Sequence, residues 1–274
     1  SRGIAKTKWK TPKFSTKDSK DSLTLSTKKL NVTIKKTPFG IKFTDKKGNV
    51  INEDYMGAGG TSGYEDGKPY VFKKTDKNED FYGFGEQSGL ELNKRGKSIG
   101  HWNTDAYSYT KDTKYLYTSI PFFMGLKNEK AYGIFFDNTH RSYFEMASES
   151  DDFYYFYANG GKLTYYFMYG PEVSDVLDRY TEITGKMEMP AEWTLGLHQS
   201  KWGYTADEIT DVAQTYRDKE IPLDTMHFDI DYMDEYRVFT WTQEYKDALK
   251  KLKSMPGFKA IAINDPAVKQ DENY

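Results

Sequence analysis

Polar and aromatic side chains follow three strand-like segments in the second half of the chain, at the points where these segments end. In α/β proteins the working residues lie at the carboxyl ends of parallel strands, because these ends share one edge of the sheet. We therefore expect the side chains to converge on one face. They are His198 and Gln199 at the end of the first segment with Trp202 after it, Asp229 and Asp231 at the end of the second, and Asn264 and Asp265, before Pro266, after the third.

Carboxylates, an imidazole and aromatic rings in one place suit two kinds of ligand. A sugar presents hydroxyl groups that carboxylates bind strongly, and apolar ring faces that stack on Trp or Tyr. A hard metal ion would instead take oxygen ligands from Asp229, Asp231 and Asp265, with one histidine. The spacing of these residues contains no compact metal-ligand motif. The sequence therefore favours a sugar and predicts neither a metal site nor a cofactor.

Each of these residues also has an ordinary structural interpretation. Taken alone, Trp202 is more typical of barrel packing than of substrate stacking, and His198 is more typical of a hydrogen-bonded core histidine. Asp265 could orient the site or cap the following loop. Strand alternation cannot say which of Asp229 and Asp231 faces the ligand and which pairs with a loop.

The elements that must position these residues alternate between strand and helix. Strand-like segments cover 194–199, 225–230 and 259–263, and a capping box at Thr205 opens a helix between the first two. A further helix, around 244–252, separates the second and third. This alternation predicts parallel strands in a doubly wound sheet or at the start of a (β/α)8 barrel. A barrel needs about eight such units, and only three are present.

The first half of the chain is predicted to be a β-sandwich, because short β-branched and aromatic runs alternate with turn residues. A helix over 171–183, with Val173, Val176, Leu177, Tyr180 and Ile183 at helical spacing, leaves the sandwich. Gly185 ends this helix, and an extended connector follows. We place the domain boundary there, with a sandwich domain over 1–187 and the start of a barrel over 188–274. The predicted strands are 31–34, 40–44, 133–136, 143–146, 153–157 and 163–168.

Composition excludes several classes of protein. The 274 residues contain no Cys, so there is no disulfide framework, thiolate metal site or cysteine nucleophile. No run approaches the roughly 18 apolar residues of a membrane span. The first 50 residues hold 14 Lys or Arg against 3 Asp or Glu, but their interleaving with Thr, Ser and β-formers favours solvated strand faces over nucleic-acid contact. We expect neither a membrane nor a nucleic-acid partner.

The first residue, Ser1, is not an initiator methionine. We therefore expect that a start residue, leader or upstream segment has been removed. The sequence favours a cytoplasmic location, and secretion with a cleaved leader is the alternative.

Several ordered blocks of the chain carry a distinctive pattern. They are 193–204, 221–224, 228–241 and 264–266 in the second half, and 81–86, 92–96, 102–105 and 119–123 in the first half. Together these blocks resemble glycoside hydrolase family 31: those in the second half are similar to the opening of the family's catalytic barrel, and those in the first half are similar to its N-terminal β-sandwich. Several blocks in the right order are more specific than any one alone.

The resemblance implies roles for individual residues. Asp229 matches the family aspartate that hydrogen-bonds the hydroxyls of the terminal non-reducing glucose, and Ile230 shapes the same subsite. Asp105 matches an aspartate that the sandwich sends into the active site on a long loop, in place of the Asx turn that its sequence alone would favour. Trp202 matches an aromatic residue of the pocket. The Asp-Ile-Asp-Tyr-Met form of the block at 229–233 is similar to the α-glucosidase branch rather than to α-xylosidases.

The other three polar candidates, His198, Asp231 and Asp265, are expected to support these residues. The implied activity is retaining hydrolysis of terminal α-linked glucose from malto- or isomalto-oligosaccharides. The family nucleophile lies in a Trp-x-Asp-Met-Asn-Glu block, and its acid/base residue lies on a later strand. Neither occurs before Tyr274, so no catalytic residue is assigned here.

Two explanations fit the missing carboxylates. In the first, a C-terminal fragment of the same enzyme completes the barrel and covers the apolar segment 260–263. In the second, the chain is a non-catalytic carbohydrate-binding or interaction protein. Within the family, an α-glucosyltransferase is a further alternative, because transglycosylation uses the same covalent intermediate.

Overall fold

The computed structural model describes residues 3–57, 60–265, 267–272 and 274, so that Pro266 of the third strand-end block lies outside the described residues. The chain divides into two compact units, Ser1–Lys186 and Met187–Tyr274. The first is built from antiparallel strands with one helix, and the second from alternating strands and helices.

The first unit is a β-sandwich, as predicted, and its strands form three antiparallel sheets. Their orders are β1-β2-β3-β4-β5, β14-β11-β10-β8 and β6-β7-β13-β12-β9. A bridge between Asp54 and Lys73 joins the first sheet to the third. The strands are β1 Ser15–Asp18, β2 Ser22–Ser26, β3 Leu30–Lys35, β4 Gly40–Asp45, β5 Val50–Glu53, β6 Ser62–Glu65, β7 Lys68–Lys74, β8 Glu79–Gly85, β9 Lys97–His101, β10 Ser119–Lys127, β11 Lys130–Phe136, β12 Ser142–Met146, β13 Phe153–Ala158 and β14 Tyr165–Tyr169.

The sandwich core is largely aromatic and takes side chains from all three sheets. Strand β11 shows how the sequence builds it. Because successive side chains of a strand point to opposite faces, Tyr132, Ile134 and Phe136 enter this core, whereas Ala131 and Phe135 pack on the other face with the helix that follows β14. Both faces of β11 are therefore buried, which explains its continuous apolar run.

That helix, α1 (Val173–Thr184), lies on the outer face of the β11 sheet. Val176 and Ile183 are buried as predicted. Val173 and Leu177 are exposed and do not line the packed face. The surface of α1 that contacts the sheet is narrower than the row of apolar residues along the helix. The close approach of α1 to β11 depends on Gly133, because an added Cβ there would lie 2.7 Å from a Val176 methyl carbon.

In its described residues, the second unit contains three parallel strands, β15 His198–Gln199, β16 Thr225–Phe228 and β17 Lys259–Ala262, in the order β15-β16-β17. Helix α2 (Ala206–Asp218) begins at the predicted capping box, in which Thr205 and Glu208 bond each other's backbone N–H groups. Helix α3 (Gln243–Ser254) lies between β16 and β17. The three β/α units of an incomplete (β/α)8 barrel are confirmed.

The predicted buried strand over 194–199 is mostly wrong. A single 3-10 turn occupies Glu192–Leu195, and only His198–Gln199 is a strand. Leu195 is 73% exposed. Among the described residues, the segment pairs with β16 alone, and the Leu197 carbonyl oxygen accepts hydrogen bonds from the backbone N–H groups of residues 224 and 225. Residues 194 and 195 belong to the 3-10 turn and not to the ladder with β16, so only the last two residues of the predicted strand are held in the sheet.

Candidate functional site

Asp229 follows β16 directly and ends it. Its backbone is extended, with φ of −78° and ψ of 176°, and it caps a 3-10 turn over Ile230–Tyr232. One carboxylate oxygen accepts a hydrogen bond from the Ile230 N–H at 2.7 Å. The remaining acceptor positions of this half-buried carboxylate are available to ligand hydroxyls, which charged acceptors bind more strongly than neutral ones do.

The turn after Asp229 is anchored on both sides. Tyr232 is buried, its ring lies 4.2 Å from that of Trp241, and its hydroxyl donates to the carbonyl oxygen of Ile263 at 3.0 Å. Asp231 accepts a hydrogen bond from the Tyr236 hydroxyl at 3.1 Å, which raises the pKa of Tyr236. Because the strand ends at Phe228, the predicted strand over 225–230 is two residues too long, and strand alternation does not decide between the two aspartates.

His198 lies beside His227, a residue that the sequence analysis did not single out. His198 Nδ1 and His227 Nε2 are 3.0 Å apart, so one imidazole donates to the other. Burial, together with the His198 imidazole, lowers the pKa of His227, and the negative charge of Asp229 opposes that shift. In the predicted strand over 225–230, His227 and Asp229 lie two positions apart and share a face, so the sequence contained a signal for His227.

Trp202 and Asp265, two further candidates of the second unit, are exposed. Trp202 is 79% exposed and lies in the turn between β15 and α2. Asp265 is also exposed, three residues after β17. By contrast, Gln199 is fixed by Tyr204 and Tyr216, whose hydroxyls lie 2.8 and 2.7 Å from the two ends of its amide. The strands are parallel, so Trp202, Asp229 and Asp265 all follow carboxyl ends at one edge of the sheet.

Asp105 belongs to the first unit, in the long segment between β9 and β10. The base of this segment is closed by two hydrogen bonds: Thr104 N–H donates to the Leu116 carbonyl at 2.8 Å, and Ser119 N–H donates to the Asn103 side chain at 2.9 Å. The Asp105 side chain is exposed. Burial and the nearby charge of Asp105 raise the pKa of the Tyr117 hydroxyl.

The second unit offers a half-buried carboxylate on an anchored turn, with paired imidazoles beside it. This arrangement can accept hydrogen bonds from a polyhydroxylated ligand. Across the described ranges, no three His, Asp or Glu side chains come close enough together to hold a metal ion. The helices described are too short and too polar to cross a bilayer.

Two family models match the chain. Residues 3–145 match the glycosyl hydrolase 31 N-terminal galactose mutarotase-like domain, and residues 187–274 match the glycosyl hydrolases family 31 TIM-barrel domain. Both matches concern the same family, and the first alone covers more than half of the chain.

Curated relatives and solved structures agree with these models. The chain is 40% identical over 262 residues to alpha-glucosidase 2 of Bacillus thermoamyloliquefaciens. The aligned region covers 94% of this chain and 33% of that protein. It is 32% identical over 212 residues to the alpha-glucosidase of Saccharolobus solfataricus, covering 76% of this chain and 30% of the relative.

The fold is similar to that of a Flavobacterium johnsoniae GH31 dextranase solved in complex with glucose, with a TM-score of 0.83 and 34% sequence identity. The match covers 94% of this chain and 31% of the dextranase chain. The present chain spans about a third of the length of the relatives that it matches.

Proposed function

Because the chain belongs to glycoside hydrolase family 31, we propose that it forms the substrate-binding part of an α-glucosidase that removes terminal non-reducing glucose from α-linked oligosaccharides. The observation that carries the proposal is Asp229, held as a half-buried carboxylate at the carboxyl end of β16. The identity to alpha-glucosidase 2 extends over nearly the whole chain.

In this proposal, the chain binds and orients glucose. Asp229 accepts hydrogen bonds from two sugar hydroxyls, and Ile230 forms the apolar wall beside it. Trp202, highly exposed at the same sheet edge, stacks on an apolar sugar face, and Asp105 contributes a second carboxylate from its loop. His198, Asp231 and Asp265 hold the surrounding side chains in place. The two carboxylates that retaining glycosidases use for bond cleavage are assigned to none of these residues.

We further propose that the rest of the barrel, on a C-terminal fragment of the same enzyme, adds its next strand to β17. In the described part of the chain, β17 pairs only with β16, so one of its edges presents unpaired N–H and C=O groups. An open edge of this kind invites pairing with another strand. Mass analysis of the native preparation tests this. A single soluble, monomeric species of 31.8 kDa would contradict the proposal.

Hydrolysis of p-nitrophenyl α-glucoside by the native preparation tests the activity. Each hydrogen bond to a charged group contributes about 1.5–3 kcal/mol, so loss of two bonds in Asp229→Ala is expected to reduce kcat/KM by at least a hundredfold. Asp218→Ala, which removes an exposed carboxylate at the end of α2, is the matched control and should leave kcat/KM unchanged. Glucan binding without turnover would instead support a carbohydrate-binding protein.

Linkage preference requires a substrate panel. The identity to a dextranase structure favours testing isomaltose beside maltose, and p-nitrophenyl α-xyloside tests the choice of glucose over xylose. Product analysis at high maltose concentration separates hydrolysis from glucosyl transfer, because a transferase produces longer oligosaccharides at the expense of free glucose.

A further inference from the structure

One end of the sandwich unit holds a cavity of about 600 Å³. The ends of β9, β10, β11 and β12 surround it, and α1 closes one side through Tyr180 and Thr184. The volume lies within the range of small-molecule sites, about 300–1,000 Å³. All lining residues belong to the first unit, so the cavity is complete within that unit.

His101, the last residue of β9, contributes a buried imidazole to the lining. The residue is only 4% exposed, and neither ring nitrogen has a hydrogen-bond partner in the described part of the chain. Its ring packs edge to face on Phe144, with centroids 5.2 Å apart. Burial lowers the pKa of His101 to about 4, so the ring is neutral near pH 7 and offers one donor and one acceptor. A buried polar group without a partner is costly, and each instance needs an explanation.

Asp137 adds a carboxylate to the same lining. It follows β11 directly and is half-buried, and its side chain makes no hydrogen bond or ion pair with the residues that the structure describes. Ser142, buried and paired in register with His101, lines the cavity next to the imidazole. The lining contains no Lys or Arg, so it suits a neutral, hydroxyl-rich ligand better than an anion.

Trp102 supplies an aromatic wall. The Arg141 guanidinium lies 4.7 Å from the centre of the indole and 5.3 Å from that of the Tyr115 ring. These cation–π contacts hold the indole in place, while the side chain remains 47% exposed. A fixed aromatic ring beside hydrogen-bonding groups is the combination that carbohydrates require, because sugars present apolar C–H faces between their hydroxyls.

We propose that this cavity binds a neutral monosaccharide or short oligosaccharide, with His101 and Asp137 hydrogen-bonding its hydroxyls and Trp102 packing against its ring. The ligand class follows from the lining and does not require the activity proposed above. A sugar hydroxyl in the cavity would provide the hydrogen-bond partner that the His101 imidazole lacks.

Glucose and maltose titrations of the full 274-residue chain, followed through the ring signals of its four histidines, test the proposal. We expect saturable shifts of His101 with a dissociation constant in the millimolar range. Measurement in an Asp105→Ala/Asp229→Ala background removes the residues proposed to bind substrate. Binding in that background therefore stands or falls independently of the glucosidase activity. Absence of saturable shifts up to about 50 mM sugar in the folded protein, which corresponds to negligible affinity, would overturn the proposal.

Variants of the lining assign the binding to the cavity. His101→Phe keeps an aromatic ring against Phe144 but removes both nitrogens, and Asp137→Asn removes the charge. The indole signal of Trp102 then serves as the readout. Each variant is expected to weaken binding at least tenfold, whereas Asp112→Asn, an exposed carboxylate outside the cavity, should not. If circular dichroism shows that His101→Phe does not fold, His101→Gln replaces it. Unchanged affinity in the folded cavity variants would refute the site.

Discussion

The ion pair between Lys73 and Asp54 makes the sharpest test of what holds the sandwich together. Lys73 Nζ lies 2.6 Å from a carboxylate oxygen of Asp54, and the two side chains are 0% and 2% exposed. Lys73 also donates to the Tyr165 hydroxyl at 3.1 Å, and Asp54 accepts a hydrogen bond from the Ile41 N–H at 2.9 Å. The pair lies where the bridge between residues 54 and 73 joins the first sheet to the third.

Removing one partner of a buried pair leaves the other charge without compensation, which costs about 3–5 kcal/mol. We therefore expect Lys73→Met to lower the free energy of unfolding of this unit by that amount. The chain contains a matched control at the surface, because Lys36 and Asp18 are also 2.6 Å apart but are 42% and 69% exposed. Exposed pairs contribute about 0–1 kcal/mol, so Lys36→Met should have little effect.

Hydrogen exchange of the most protected amides in β11 and β13 provides the assay, since it reports the opening of the sandwich unit itself. The double variant Lys73→Met/Asp54→Asn should recover part of the loss, because it removes both charges together. If Lys73→Met costs no more than Lys36→Met, burial does not amplify this interaction and the reasoning fails.

Three further predictions concern the capping box, the buried histidine and a close helix contact. Thr205→Ala should destabilise α2 by about 1 kcal/mol, and faster amide exchange in that helix measures the loss. Thr242→Ala is the control: Thr242 makes no side-chain capping bond to α3, so this variant should not speed amide exchange in α3. The pKa of His101 is lowered to about 4 from an ordinary 6.5, so its contribution to stability is complete above pH 6.5 and is lost as the pH falls toward 4. That loss amounts to about 3 kcal/mol, and acid unfolding curves of His101→Gln should lack it. Gly133→Ala should lower the free energy of unfolding by about 1–3 kcal/mol, because the added carbon would overlap a Val176 methyl group. Adding Val176→Ala should restore part of that stability, and thermal unfolding measures both effects.

The order of the three strands that carry the candidate site was predictable from the sequence. The sequence predicted that Asp229 lies near the carboxyl end of a strand, because apolar residues before it and polar residues after it mark that end. The position of that end was not predictable, since it depends on the turn that Asp229 caps and on the anchoring of Tyr232 by Trp241 and Ile263. The His198–His227 contact joins residues 29 positions apart, and pattern alone does not pair them.

Local features of this protein were set by the sequence itself. The capping box at Thr205 and the six strands predicted in the sandwich depend mainly on neighbours within a few positions, because the turn pattern and the two-residue period of a strand are local features. Contacts between distant segments were decided only by the tertiary structure. The exposure of Leu195, the narrow contact of α1, the buried Lys73–Asp54 pair and the unpartnered His101 all depend on which strands become neighbours and in what register, because burial is a property of the packed sheets and not of any one segment.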